Sequence, residues 1–132
     1  MYTNSTGQIK LSGHISNPFD IKKGTEQGHP LSPDFFKLYI NDLSTILKFE
    51  NCPKLANMLI SHLLWADDLI ILSLDMKTTQ KQLNMLHDFC KKWGLEINMD
   101  KTKAMILGAE PKGAPRPNFE IGNQILTLGT NF

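Results

Sequence analysis

The chain has 132 residues, 41% of them hydrophobic, which is enough for one modest core and too few for two. Its 14 Lys and Arg residues nearly balance 13 Asp and Glu residues, so any nucleic-acid binding must be local rather than driven by a global basic field. No apolar run reaches the roughly 18 residues of a membrane span, and the polar opening is unlike a secretory signal. Cys52 and Cys90 lie far apart without metal-like spacing, as reduced thiols do. We therefore expect a protein of the cytoplasm and nucleus that has no membrane partner.

The first third of the chain predicts a small hairpin followed by a helix. Residues 8–21 contain short apolar alternations broken by turn residues, which favours the hairpin. Residues 24–33 are dense in Gly and Pro and form a loop that leads into a helix running to about residue 49. Ser32 is a good N-cap and Pro33 fits the first helical position. Apolar side chains recur at helical spacing and give this helix one buried face: Phe36, Tyr39 or Ile40, Leu43 and Leu47.

Two adjacent acids, Asp67 and Asp68, interrupt an otherwise apolar run in the middle of the chain. The apolar segments around them, residues 57–64 and 69–74, predict the strands of a hairpin with the acids at its tip. Carboxylates this close repel each other unless water or a cation separates their charges. Two interpretations stay open: turn residues that bond the local backbone, or ligands of a hard cation such as Mg²⁺. In the second, Asp67 is the primary ligand and Asp68 the weaker one, because neighbouring strand residues point to opposite faces.

The remainder of the chain predicts a second helix and further strands. An apolar stripe runs through residues 77–93, and Gly94 stands where a left-handed C-terminal cap belongs. Strands are expected at residues 95–97 and 104–107. A Pro-rich linker follows, and a last hairpin reverses at Gly122-Asn123.

The order of these motifs resembles the reverse transcriptase domain of non-LTR, LINE-type retrotransposons over residues 21–132. The turn of that family reads aromatic-Ala-Asp-Asp, which Trp65-Ala66-Asp67-Asp68 matches. Trp93-Gly94-Leu95, Asn98 and Lys101-Thr102-Lys103 match the segment that follows. The Gly-rich loop of the family reads Gly-x-x-Gln-Gly-x-x-Leu-Ser-Pro-x-x-Phe, and seven positions match it: Gly24, Gln27, Gly28, Leu31, Ser32, Pro33 and Phe36.

This resemblance implies an α+β fold, a palm-like antiparallel sheet with two main helices on one face, incomplete at both ends. Residues 1–110 correspond to a partial palm, and residues 111–132 to a linker and the start of the primer-gripping hairpin. The aspartate that forms the first catalytic motif of the family should precede the Gly-rich loop by several tens of residues and has no match here. We therefore expect no primer extension by this chain alone.

The resemblance also implies a site and its ligands. Asp67 and Asp68 would hold catalytic Mg²⁺, with Mn²⁺ as an alternative, for two-metal transfer of deoxynucleotides to a primer. Lys101 or Lys103 would approach the triphosphate and neutralise or protonate the leaving pyrophosphate. The partners implied for the full-length parent are an RNA template, a DNA primer and deoxynucleoside triphosphates. Three further residues would lie along the template and nucleotide: Gln27, Gly28 and Ala66. A backbone without a side chain, as at Gly28, can approach the nucleic acid closely.

Two alternatives to a polymerase fragment follow from the same residues. One is a non-catalytic retroelement remnant that binds RNA or a protein, which would keep the fold without the metal chemistry. Metal affinity separates this remnant from a polymerase fragment. The other is an unrelated metal-dependent phosphohydrolase, which is disfavoured because no third acid or His cluster accompanies Asp67 and Asp68.

Overall fold

The computed structural model describes residues 5–21, 24, 28–108 and 117–129. The chain divides into two compact units, Met1–Ile40 and Asn41–Phe132. Apart from Pro117, the predicted Pro-rich linker lies outside the described residues. Within the described part, no helix is long and apolar enough to cross a membrane.

The first unit contains the predicted hairpin, which is confirmed as two nested antiparallel strand pairs. β1 pairs with β4, and β2 pairs with β3 inside them. The inner pair reverses through Ser12 and Gly13, whose φ values are +48° and +84°. Positive φ at both central residues matches the right-handed twist of the flanking strands. The four strands are β1 (Thr6–Gly7), β2 (Lys10–Leu11), β3 (His14–Ile15) and β4 (Phe19–Asp20).

The first helix, α1, spans Ser32–Ile46, so it begins at the predicted cap residue and ends three residues before the predicted end. The imidazole Nδ1 of His29 accepts a hydrogen bond from the Leu31 N–H at 3.2 Å, and the His29 carbonyl accepts one from the Ser32 N–H at 3.1 Å. His29 thus closes the turn that starts the helix. The predicted buried face is confirmed at Ile40, Leu43 and Leu47.

Two hairpins follow α1 where one was predicted. β5 (Lys54–Leu55) pairs with β6 (Met58–Leu59), and β7 (His62–Trp65) pairs with β8 (Asp68–Ile71). The prediction of a single strand over residues 57–64 is therefore wrong. The chain reverses at Ala56, whose φ is +53°, a conformation that an alanine does not signal in sequence.

The second helix, α2, spans Met76–Trp93 and confirms the predicted element. Asp75 caps its start by accepting a hydrogen bond from the Thr78 N–H at 2.8 Å. Gly94 caps its end with φ +66° and ψ +30°, and its N–H donates to the Cys90 carbonyl. This is the left-handed cap that the position of Gly94 predicts.

After α2, the described residues of the second unit form four short strands: β9 (Lys103–Ala104), β10 (Glu120–Ile121), β11 (Gln124–Ile125) and β12 (Thr127–Leu128). β10 and β11 form the predicted antiparallel hairpin around Gly122, whose φ is +61°. β12 instead runs parallel to β9, which places residues near the end of the chain beside the basic turn. The strand predicted at residues 95–97 is not formed. The side chains of Leu95 and Ile97 instead pack against the hydrophobic core beside α2.

Two hydrophobic clusters hold the second unit together. Cluster one joins α1 to α2, and the β8 residues Leu69 and Ile71 pack against it. Cluster two joins α2 to the β10–β11 hairpin, and Ile71 also packs against it. The described strands pair only two by two, so this part of the chain is an α+β arrangement of two helices and small strand pairs. Cluster one consists of Leu43, Leu47, Leu86, Phe89 and Cys90. Cluster two consists of Leu83, Phe119, Ile121 and Leu126.

Candidate functional site

The β7–β8 hairpin presents a different chemistry on each face. Leu69 and Ile71 pack against cluster one, so their face is inward. The outward face carries two directly opposed pairs, since residues paired across an antiparallel ladder project to the same side. These pairs are Leu63 with Ile70 and Trp65 with Asp68, all exposed. The outward face is therefore apolar and ends in a carboxylate.

The turn of this hairpin is held in an unusual backbone conformation. Ala66 has φ +52°, in the left-handed region that favours glycine. Tight two-residue turns commonly place glycine at this first central position. The flanking ladder and the packing of β8 on cluster one maintain Ala66 there. Strain of this kind is often found at binding sites, and Ala66 directly precedes Asp67 and lies two residues before Asp68.

Asp67 and Asp68 occupy two different positions. Because Trp65 pairs with Asp68, the loop contains only Ala66 and Asp67, and Asp68 is the first residue of β8. The prediction that both acids form the tip is therefore corrected to Asp67 alone. Both side chains are exposed, and neither forms a salt bridge with any described residue.

The two carboxylates fit a hard divalent cation in the chemistry of their donors. Mg²⁺ and Mn²⁺ prefer oxygen ligands, and Mg²⁺ is commonly held by one or two carboxylates together with waters and substrate phosphates. Across residues 5–21, 24, 28–108 and 117–129, however, no three His, Cys, Asp or Glu side chains come together as a metal cluster. Asp67 and Asp68 can thus supply part of a coordination sphere, and substrate or solvent oxygens would supply the remainder.

The base of the hairpin is anchored to α2. The Ser61 carbonyl, just before β7, accepts a hydrogen bond from the Leu72 N–H at 2.8 Å. The same carbonyl accepts a bond from the Gln82 Nε2 at 3.3 Å. Gln82 is fully buried and Ser61 is buried, so α2 holds the strands that carry the acids.

The basic turn is organised by Asn98. Its carbonyl accepts hydrogen bonds from the Thr102 N–H at 3.0 Å and the Thr102 hydroxyl at 2.8 Å, and its Oδ1 accepts one from the Lys101 N–H at 3.2 Å. Lys103 begins β9 and pairs with Thr127. Both lysine side chains are exposed. In the described part of the chain, neither forms a salt bridge with Asp67 or Asp68.

The Gly-rich loop belongs to the first unit. Gly24 and Gly28 have φ values of +102° and +90°, and a Cβ added at either would meet no described atom within 4 Å. Backbone conformation rather than space is what requires glycine at these positions. Gln27 lies outside the described residues, so its predicted role stays a prediction.

Sequence reasoning missed the two glutamines of α2, Gln80 and Gln82. Gln82 stands four residues before Leu86 on the buried side of the helix, and this spacing is a signal that could have identified it as a core residue. Gln80 bonds to the backbone of Glu120, 40 residues away, which no local pattern indicates.

Comparisons with known proteins identify the class to which this hairpin and its surrounding helices belong. Residues 2–131 match the model of the family described as "Reverse transcriptase (RNA-dependent DNA polymerase)", so the chain belongs to the reverse transcriptase family. The resemblance drawn from its motifs is thereby confirmed.

Two curated relatives narrow the similarity to non-LTR elements. The chain is 32% identical over 111 residues to the retrovirus-related Pol polyprotein of the type-2 retrotransposable element R2DM of Drosophila melanogaster, a match that covers 84% of this chain and 10% of the relative. It is also 32% identical over 135 residues to the corresponding polyprotein of the type-1 retrotransposable element R2 of Popillia japonica, covering 97% of this chain and 22% of the relative. The chain therefore spans between a tenth and about a fifth of the length of these relatives.

Proposed function

We propose that this chain is part of an RNA-directed DNA polymerase of a non-LTR retrotransposon, with its catalytic carboxylates at Asp67 and Asp68. The observation that carries the proposal is the hairpin itself. It displays these two acids beside the strained Ala66, in a chain whose family copies RNA into DNA. The proposed partners are an RNA template, a DNA primer and deoxynucleoside triphosphates, and the proposed arrangement of the complete domain is palm-like.

Asp67 and Asp68 would hold Mg²⁺ or Mn²⁺, which when bound stabilises the charge of a triphosphate and lowers the pKa of a primer hydroxyl. Other residues of this chain would position the carboxylates and contact the substrates. The short turn fixes the two carboxylates relative to each other, and the bond from Gln82 to Ser61 fixes the hairpin on α2. The exposed Lys101 and Lys103 offer mobile cations for the pyrophosphate that leaves. Gly28 has a positive φ and no side chain, so the backbone of its loop would approach the template closely.

The chain alone is proposed to be inactive as a polymerase. Two carboxylates are an incomplete protein ligand set for two metal ions, and the described residues offer no third acid at the hairpin. Incubation of the purified chain with an RNA template, a DNA primer, Mn²⁺ and nucleotides should therefore yield no extension. Template-dependent extension that disappears in Asp67→Ala would overturn the proposed inactivity while supporting the proposed site.

The metal site is tested by counting bound Mn²⁺ with electron paramagnetic resonance during a titration. We expect weak binding that Asp67→Asn reduces by roughly 10-fold, because one ligand charge is lost. Asp68→Asn should reduce it less. Asp42→Asn, which removes an exposed carboxylate on α1, is the matched control and should leave binding unchanged. Equal binding in all four proteins would refute the proposed metal site.

The apolar outward face of the β7–β8 hairpin favours a second candidate, a non-catalytic fragment that binds RNA or a protein. Leu63, Trp65 and Ile70 are each more than half exposed there. An apolar patch of this kind marks a contact surface in many soluble proteins. Binding of RNA or protein that is unaffected by Asp67→Asn, in a chain that binds no Mn²⁺, would support this second candidate over the first.

A further inference from the structure

A glutamine side chain on α2 takes the place of a neighbouring strand beside β10. The Nε2 of Gln80 donates to the Glu120 carbonyl at 2.8 Å, and the Oε1 of Gln80 accepts from the Glu120 N–H at 3.0 Å. A primary amide carries the same donor and acceptor as a peptide group, so it satisfies both edge groups of one strand residue. Asn84 steadies this amide, because its Oδ1 accepts a second bond from Nε2 at 2.8 Å.

The β10–β11 turn also lies directly against α2. A Cβ added at Gly122 would come within 2.7 Å of the Nε2 of His87, so the turn tolerates no side chain without movement of that imidazole. Phe119 and Ile121, on either side of Glu120, are buried in cluster two with Leu83 of α2. Two polar bonds and an apolar contact thus fix the same hairpin to one helix.

The same helix anchors the hairpin that carries the acids. Gln82, two residues after Gln80, donates to the Ser61 carbonyl at the base of β7. Residues two positions apart in an α-helix, such as Gln80 and Gln82, are separated by about 3 Å along the axis and roughly 200° around it, so their side chains leave the helix in different directions. Gln80 and Gln82 thus attach two hairpins to one helix. The hairpins also meet in cluster two, because Ile71 of β8 packs against this cluster, to which Phe119 and Ile121 belong.

We propose that Gln80 is a positioning residue that holds the β10–β11 hairpin at a set distance from Asp67 and Asp68 so that the hairpin contacts the primer end. This inference rests on the proposed function and on the resemblance, which implies that residues 111–132 contain a linker and the start of the primer-gripping hairpin. Gln80 acts through the Glu120 backbone and takes no part in the chemistry. The recognised ligand is the 3′-terminal portion of a DNA primer paired with RNA.

The attachment of β10 to α2 through the two Gln80–Glu120 hydrogen bonds, called the tether below, is tested first without nucleic acid. The method is hydrogen–deuterium exchange of the 132-residue chain at low concentration. Gln80→Met preserves the approximate volume and removes both bonds, so the Glu120 amide should exchange roughly 10-fold faster. Gln124→Met makes the same change on the exposed β11 strand of the same hairpin and should exchange like the parent chain. Gln80→Glu keeps one acceptor for the Glu120 N–H but loses the donor to the Glu120 carbonyl, so it should retain at most part of the protection. Unchanged exchange in Gln80→Met would overturn the proposal.

Primer contact is then measured with an RNA–DNA duplex whose primer ends in a photoreactive thymidine. We expect crosslinks to peptides within residues 117–129 to fall about 5-fold in Gln80→Met, with less than a 2-fold change in overall affinity and an unchanged urea midpoint. Partial rescue in Gln80→Glu would support positioning, since a purely steric role predicts no rescue. Crosslinks that stay unchanged although protection is lost would overturn the role in primer contact. If the parent chain binds no duplex, the proposed function fails as well, whereas the exchange result still reports on the tether independently.

Discussion

Trp65 and Asp68 lie directly opposite each other at the last paired position of the β7–β8 hairpin. They therefore project from the same face, and the 83% exposed side chain of Trp65 borders the carboxylate of Asp68. The other tryptophan, Trp93, is half-buried against cluster one with its ring 6.0 Å from that of Phe89. Packing against cluster one therefore stabilises the indole of Trp93, whereas the indole of Trp65 is mostly in contact with solvent.

Replacing each tryptophan in turn should therefore change the free energy of unfolding by different amounts. Trp65→Phe should change the free energy of unfolding by less than about 0.5 kcal/mol, because an exposed side chain contributes little to packing. Trp93→Phe should cost about 1 to 2 kcal/mol through lost contacts in cluster one. Urea unfolding followed by circular dichroism measures both. An equal loss in the two variants would show that Trp65 is not exposed as described.

The strained turn predicts that one substitution at Ala66 destabilises the hairpin and another is tolerated. Ala66→Val should destabilise the hairpin by about 1 to 2 kcal/mol, because a β-branched residue tolerates positive φ poorly. Ala66→Gly should keep stability within about 0.5 kcal/mol, since relief of strain offsets the greater freedom of glycine when unfolded. Ala56, with φ +53° in the β5–β6 turn, provides the matched control. Ala56→Val should cost similar stability while leaving Mn²⁺ binding intact, whereas Ala66→Val should weaken it.

The N-cap of α2 predicts a loss of stability in acid. Hydrogen bonds from the Thr78 N–H and the Thr78 hydroxyl favour the charged carboxylate and hold the pKa of Asp75 below its ordinary value of 3.8. A group with a lowered folded-state pKa contributes stability above its unfolded pKa and loses it as the pH falls through the folded pKa. Stability should therefore fall as the pH drops below about 4.

Thermal unfolding between pH 2 and pH 6 measures this contribution. Asp75→Asn retains an oxygen that can cap the helix but cannot titrate, so its acid-dependent loss should be smaller than that of the parent chain. Asp42→Asn, an exposed acid on α1 without a described partner, should follow the parent. The expectation fails if Asp75→Asn and the parent have the same pH profile.

The buried Gln82 predicts that an apolar replacement is tolerated. Its Oε1 has no hydrogen-bond partner among the described residues, and the Ser61 carbonyl keeps the Leu72 N–H when the Gln82 amide is removed. Gln82→Met removes an unpaired buried acceptor and should change stability by less than about 1 kcal/mol. Gln82→Ala leaves a cavity and should cost about 2 to 4 kcal/mol. Urea titration of both variants tests this. A large loss in Gln82→Met would show that the bond to Ser61 stabilises the fold by more than the unpaired Oε1 destabilises it.

Local signals predicted the elements whose causes are local. Gly94 marked the end of α2, and Gly122 marked the last hairpin, because both need the positive φ that glycine adopts at little cost. The turns at Ala56 and Ala66 carry no such signal, which explains the missed β5–β6 hairpin and the misplaced tip. The parallel pairing of β9 with β12 joins residues too distant in sequence for any periodicity to indicate.

The sequence by itself determined the family, the two adjacent acids and the ends of the second helix, since these depend on residue types and spacings that persist in any conformation. Tertiary structure alone decided that Asp67 lies in the turn while Asp68 begins a strand, and that Gln80 and Gln82 attach two hairpins to one helix. Register, burial and hydrogen bonds between distant backbone groups depend on which elements pack together. That choice is made by the free energy of the whole core rather than by any single segment.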